Sequence, residues 1–225
     1  MLPERSATAG TLPAPAAGTI DLWLISLAVD ADAAVAMSAA LDAGEMARAD
    51  RFATAASRAR FVAAHASVRA ILGTYLGLTP AAVSFVRGER GKPRVTGDSL
   101  AFNVSHSGER AVCAVAAGGR CGVDIECVRP MPDAGPLADR YFSSREADEI
   151  RRLSAHDRDR AFLDIWTRKE AFLKATGEGL SRLDSFDVTD ASQRWWIRSF
   201  DPGPGYLGTV AHDRPIAAVT CREWS

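Results

Sequence analysis

The sequence predicts an α/β protein, α+β in detail, whose helices and sheets are mixed along one chain. Three observations carry this. The 225 residues are 47% hydrophobic and 24% charged, proportions of a chain that buries a core. Short alternating apolar segments are interleaved with two long stretches of helical periodicity. At an offset of 101 residues a faint echo sets Phe61 on Phe162, Ala70 on Ala171 and Leu72 on Leu173. Such an echo predicts two similar helix-plus-sheet halves with a ligand crevice between them.

Residues 1–18 are mainly Ala, Pro, Thr and Gly and read as a flexible leader, followed by halves at 19–118 and 119–225. The run IDLWLISL at 20–27 predicts a strand, and the Ala-rich run to Leu41 a helix. Residues 55–76 predict a long helix, because Phe61, His65, Val68, Leu72 and Tyr75 recur at three- and four-residue steps. Gly77 ends it and Pro80 prevents its resumption. Residues 83–86, 101–104 and 111–115 read as strands, separated by Gly- and Ser-rich turns. The second half predicts a strand at 122–127, helices at 144–152 and 158–175, and strands at 185–188, 195–200 and 216–221.

A formal net charge of -1 argues against nucleic acid or an anionic membrane as the main partner. No apolar run approaches the roughly 18–20 residues of a membrane span, and the N-terminus lacks the apolar core of a secretory signal. Cys113, Cys121, Cys127 and Cys221 form no C-x-x-C pair and read as reduced core thiols, which predicts a cytoplasmic protein.

Gly122-Val123-Asp124-Ile125-Glu126 is the most informative segment. Strand alternation sends Asp124 and Glu126 to one face, with Cα atoms roughly 6.5 Å apart. That face is either an ordinary solvated edge or a site for a hard cation such as Mg²⁺. Trp166, Glu170 and Lys174 share a second stripe at four-residue spacing. Glu170 and Lys174 form either a surface ion pair worth roughly 0.2–0.5 kcal/mol or part of a cleft. Arg90-Gly91-Lys92-Pro93-Arg94 is a charged turn, or a grip on an anion. In Phe102-Asn103-Val104-Ser105-His106-Ser107-Gly108, Ser105 and His106 suit phosphate better than a nucleophile pair, since no G-x-S-x-G elbow is present. Arg48, Arg51, Arg58, Arg60 and Arg69 mark either a solvated face or a phosphate-binding edge.

Together, in order, these motifs resemble the 4′-phosphopantetheinyl transferases of the large, surfactin-synthetase-activating (Sfp) type. The run extends through Tyr141-Phe142-Ser143-Ser144-Arg145-Glu146 and Trp166-Thr167-Arg168-Lys169-Glu170-Ala171-Phe172-Leu173-Lys174. The resemblance implies a pseudo-twofold fold of two α/β halves around coenzyme A, and transfer of its phosphopantetheine arm to a serine of an apo acyl or peptidyl carrier protein. It implies Mg²⁺, with Mn²⁺ as a substitute, on Asp124, Glu126 and Glu170. Arg48, Arg60, Gly91, Lys92, Pro93, Ser105, His106 and Lys174 would contact coenzyme A, and Glu170 and Lys174 would serve the chemistry. Glu45 stands where some relatives are basic. A chain carrying both halves is expected to act as a monomer, a pseudo-dimer in itself. The competing readings are a noncatalytic coenzyme A-binding module and a Mg²⁺-dependent phosphohydrolase. Neither requires Glu170 and Lys174 together with carrier-type specificity.

Overall fold

A computed structural model describes residues 11–88, 91–97 and 100–224, apart from the side chains of residues 180 and 181. Residues 1–10 of the expected leader, and Arg90 of the basic turn, lie outside the described residues. The chain divides into two compact units, one of residues up to Ala14 with Val29–Ser84, the other of Pro15–Ala28 with Phe85–Ser225.

The first unit is helical. Helices α1 (Ala31–Ser38), α2 (Ala43–Ala49) and α3 (Ala55–Leu76) pack around Ala34, Ala49, Val62, Ile71 and Leu72. The helix expected up to Leu41 stops at Ser38, and the basic segment around Arg48 forms a helix of its own. Its start is encoded locally: Asp42 accepts from the Glu45 amide at 2.8 Å, and the Glu45 carboxylate accepts from the Asp42 amide at 3.1 Å. Glu45 also takes the Nε–H of the buried Arg69 at 2.7 Å and meets His65 Nδ1 at 2.9 Å. Arg69, read from sequence as part of a basic edge, is 2% exposed and ties α2 and α3 together. Its other nitrogens donate to Asp42 Oδ2 at 2.5 Å and to the Val83 carbonyl at 2.7 Å. Of the leader, the Leu12 amide donates to the Thr74 carbonyl at 2.8 Å.

The second unit holds the sheets. Strands β1 (Thr19–Ser26), β4 (Ala101–Ser107), β5 (Arg110–Ala116) and β9 (Ala218–Trp224) form one sheet in the order β4-β5-β1-β9. Strands β6 (Cys121–Cys127), β7 (Trp196–Phe200) and β8 (Tyr206–His212) form another in the order β6-β8-β7, and β2 (Phe85–Arg87) pairs with β3 (Pro93–Val95). Ile20, Leu22, Val112, Val123, Ile125 and Val210 pack together between strands of both larger sheets. Helices α4 (Ala134–Tyr141), α5 (Ser144–Arg152), α6 (Ala155–Thr176) and α7 (Val188–Ala191) complete the unit.

Three expectations need correction. Residues 185–188 are not a strand: a 3₁₀ turn runs over Leu180–Ser185, and Asp187 caps α7 by accepting from the Thr189 amide. Strand β8 was not foreseen, because Gly208 interrupts its apolar alternation. The absent side chain leaves room for the Phe200 ring, which a Cβ would meet at 2.5 Å. Cys221 is exposed on edge strand β9, unlike the buried Cys113 and Cys121. Burial pushes the Cys121 thiol up to about 12, so it stays a neutral core group.

A local pattern occurs twice. Both α3 and α6 are 22 residues long, start at a capping hydroxyl (Thr54, Ser154) and end at a left-handed glycine (Gly77, Gly177). These caps set the spacing at 100 rather than 101. In α5 the Glu146 carboxylate accepts from the Ser143 amide and from the buried Lys169 ammonium at 2.7 Å, as Glu45 does with Asp42 and Arg69.

Candidate active site

The site begins with a glycine. A Cβ on Gly122 would lie 2.1 Å from the Ala171 carbonyl oxygen and 2.4 Å from the Ala175 nitrogen. Glycine therefore lets α6 lie directly on β6, and α6 meets it with the small Ala171 and Ala175. That contact sets Glu170 and Lys174 of the helix against the acidic face of the strand.

Strand β6 is an edge, and its outward amides find side chains instead of a neighbouring strand. Asn103 Oδ1 accepts from Val123 at 2.8 Å, Ser105 Oγ from Ile125 at 3.4 Å and Ser107 Oγ from Cys127 at 3.0 Å. Alternate residues of β4 thus act as a side-chain ladder joining the two sheets. The reading from sequence missed this function, although the alternation Asn-x-Ser-x-Ser was visible. The ladder also reaches the carboxylates. Ser105 Oγ donates to Asp124 Oδ1 at 2.7 Å, and Ser107 Oγ to Glu126 Oε2 at 2.8 Å.

Lys174 sits among these groups. Its ammonium donates to Asp124 Oδ1 at 2.6 Å and to Ser105 Oγ at 3.0 Å, and lies 3.5 Å from Glu170 Oε2. Glu170 and Lys174 are therefore not the isolated surface pair. Arg129, unmentioned in the sequence reading, donates to Glu126 Oε2 at 2.9 Å from an exposed position. Burial pushes the Asp124 carboxyl up, with Lys174 and Ser105 opposing it. Burial and then the Asp124 charge push Glu170 up.

Among the described residues, no three His, Cys, Asp or Glu side chains are gathered as a ready-made metal site. The donor chemistry nevertheless fits a hard cation: three carboxylates, of which Asp124 keeps a buried Oδ2 with no hydrogen-bond partner.

The other predicted residues divide. Lys92 is half-buried, and its ammonium donates to the carbonyls of Cys121 at 2.6 Å and Lys174 at 2.7 Å, the latter near the C-terminal end of α6. Burial lowers its proton affinity. Gly91 adopts a positive φ of 81° at the turn before β3, and Pro93 starts that strand. Lys92 and Pro93 also border a cavity of about 1000 Å³, with Arg87, Arg94, Arg120 and Trp195. Ser105 is buried and His106 exposed, their side chains lying on opposite faces of β4. Arg48 and Arg60 belong to the first unit. Arg48 is exposed in the last turn of α2 with its guanidinium 5.2 Å from the Phe61 ring centroid, and Arg60 is half-buried on α3.

The family comparisons bear on this arrangement. Residues 120–214 match the model of the 4′-phosphopantetheinyl transferase superfamily, and residues 30–118 that of the 4′-phosphopantetheinyl transferase N-terminal region. The chain is 37% identical over 204 residues to the 4′-phosphopantetheinyl transferase HetI of Nostoc sp., covering 89% of this chain and 86% of that one. The chain belongs to the 4′-phosphopantetheinyl transferases. It is also 30% identical over 162 residues to the 4′-phosphopantetheinyl transferase Sfp of Bacillus subtilis, covering 66% of this chain and 71% of the relative. A 4′-phosphopantetheinyl transferase of Bacillus pumilus matches at 30% over 196 residues, 79% of this chain and 83% of the relative. As a phosphopantetheinyl transferase, the protein moves a phosphopantetheine arm onto carrier proteins.

Proposed function

We propose that this transferase takes the arm from coenzyme A, attaches it to a serine of an apo acyl or peptidyl carrier protein, releases adenosine 3′,5′-bisphosphate, and requires Mg²⁺. The observation that carries the reading is the largely buried Lys174–Asp124–Glu170 group, with the unpartnered Asp124 oxygen beside it. Asp124, Glu126 and Glu170 would hold the Mg²⁺, which when bound would neutralise charge on the coenzyme A diphosphate.

The chain's own groups then have distinct tasks. Glu170, whose proton affinity is raised by burial, accepts the proton of the attacking serine hydroxyl. The serine oxygen forms a bond to phosphorus as the bond from that phosphorus to the diphosphate bridging oxygen breaks. The Lys174 ammonium offsets the negative charge left on the departing phosphate. Lys92, Ser105 and His106 would contact coenzyme A, with Gly91 and Pro93 shaping the turn that carries Lys92. Arg48 and Arg60 supply cations suited to the 3′-phosphate.

The repeated helix caps and the Glu–basic pairs support halves at 19–118 and 119–225 as the repeating unit. Among the described residues no helix is long and apolar enough to cross a membrane. Near-neutral charge and free cysteines support a cytoplasmic protein whose main partner is neither membrane nor nucleic acid, and the presence of both halves in one chain is the ground for expecting a monomer. Incubating an apo carrier with coenzyme A and Mg²⁺, then weighing the carrier, tests the reading. A mass gain equal to phosphopantetheine on one serine is expected. No gain with carriers of all three biosynthetic types, fatty acid, polyketide and nonribosomal peptide, would overturn it.

A further inference from the structure

The acidic cluster already contains a cation. Lys174 reaches across 50 residues of sequence to Asp124, and its ammonium is surrounded by Asp124 Oδ1, Ser105 Oγ and Glu170 Oε2. The Asp124 side chain is 4% exposed and that of Lys174 28%, so solvent screens this pair poorly. Glu126 meets a second cation, Arg129, but that guanidinium is 48% exposed and its pairing is correspondingly weak. The Lys174 ammonium bridges Asp124 and Glu170, and among the described residues no three His, Cys, Asp or Glu side chains converge as a ready-made metal site.

We propose that Lys174 is an internal counter-ion that competes with the metal for Asp124 and Glu170 and thereby sets the metal affinity of the site. This rests on the reading of the acidic group as a metal site. An ammonium and a divalent cation repel at this range, so metal entry requires the Lys174 head group to withdraw from Asp124. Oδ2 of Asp124 is buried and has no hydrogen-bond partner, so it would be the oxygen with bonding capacity left for an ion once the Lys174 head group withdraws. Lys174 then has two positions, one on Asp124 without metal and one toward the anionic donor with it. A donor bearing a diphosphate stabilises the second position and favours metal binding, as linkage demands.

The test uses the purified full chain and Mn²⁺ alone, with free Mn²⁺ followed by electron paramagnetic resonance, without coenzyme A or carrier. Lys174→Met keeps the apolar stem and removes the charge, and is expected to bind Mn²⁺ about 5–150-fold more tightly than wild type, the usual span of a coupling between sites. Lys174→Arg, which restores the charge, should return affinity to within about threefold of wild type, and Arg129→Ala should shift it by no more than about fivefold, as for an exposed pair. The tighter binding must vanish in the Asp124→Asn, Lys174→Met double variant. Thermal unfolding supplies a second readout: metal-free Lys174→Met should melt below wild type, and Mn²⁺ should raise its melting temperature by more than that of wild type. Equal or weaker Mn²⁺ binding by folded Lys174→Met overturns the proposal. No Mn²⁺ binding by any variant would instead remove the metal-site reading on which it rests, and the carrier mass assay judges the transfer reaction separately.

Discussion

Gly122→Ala isolates the contact on which the site is built. The new Cβ would stand 2.1 Å from the Ala171 carbonyl oxygen, where ordinary van der Waals contact begins at 3.4 Å. Both clashing groups belong to the backbone of α6, so no side-chain rotation relieves the overlap. The helix and strand must separate by roughly 1 Å, the kind of overpacking that costs about 1–3 kcal/mol. For a chain of this size that is about 2–12 °C in melting temperature. A second effect falls on the chemistry: displacing Glu170 and Lys174 by roughly 1 Å from Asp124 should cost about 10²-fold in turnover. Calorimetry and a carrier-loading assay at saturating coenzyme A read the two effects. If Gly122→Ala kept both the melting temperature and the turnover of wild type, the close approach of α6 to β6 would not be what positions the site.

The remaining predictions follow from other groups. Glu170→Gln keeps shape and removes basicity, so turnover should fall about 10²–10⁴-fold with little change in melting temperature; retention of more than about a tenth would exclude it as the base. Glu45 is held at about 2: burial works to raise it, but bonds from His65, the Asp42 amide and Arg69 prevail. Its depressed value means the stabilisation is complete above the ordinary 4.5 and is lost as pH falls toward 2, so urea midpoints should drop across that window in wild type. Glu45→Ala leaves the Nε–H of the buried Arg69 without its acceptor while Asp42 still pairs with the guanidinium, and should cost about 1–3 kcal/mol at neutral pH, with a flatter acid limb. Arg48→Ala should raise the KM for coenzyme A more than that for 3′-dephospho-coenzyme A, and equal effects would exclude a contact to the 3′-phosphate.

What the sequence determined alone is what local periodicity determines. A period of two places Asp124 and Glu126 on one face of β6, and a step of four places Glu170 and Lys174 on one stripe of α6, whatever lies opposite. The ends of α3 and α6 are equally local, written in a capping hydroxyl and a left-handed glycine. The tertiary structure decided which partners those faces meet. Ser105 and Lys92 looked like groups free to grip an anion, yet Ser105 bridges β4 to Asp124, and Lys92 holds two backbone carbonyls 29 and 82 residues away. Arg69 looked like surface charge and is buried, because its partner Glu45 comes from the cap of another helix. Strand β8 was hidden for a similar reason: Gly208 weakens the apolar alternation, and only the Phe200 ring packed over it explains why a glycine belongs there. Distant pairings like these depend on which surfaces the whole chain brings into contact, and short-range spacing carries no record of them.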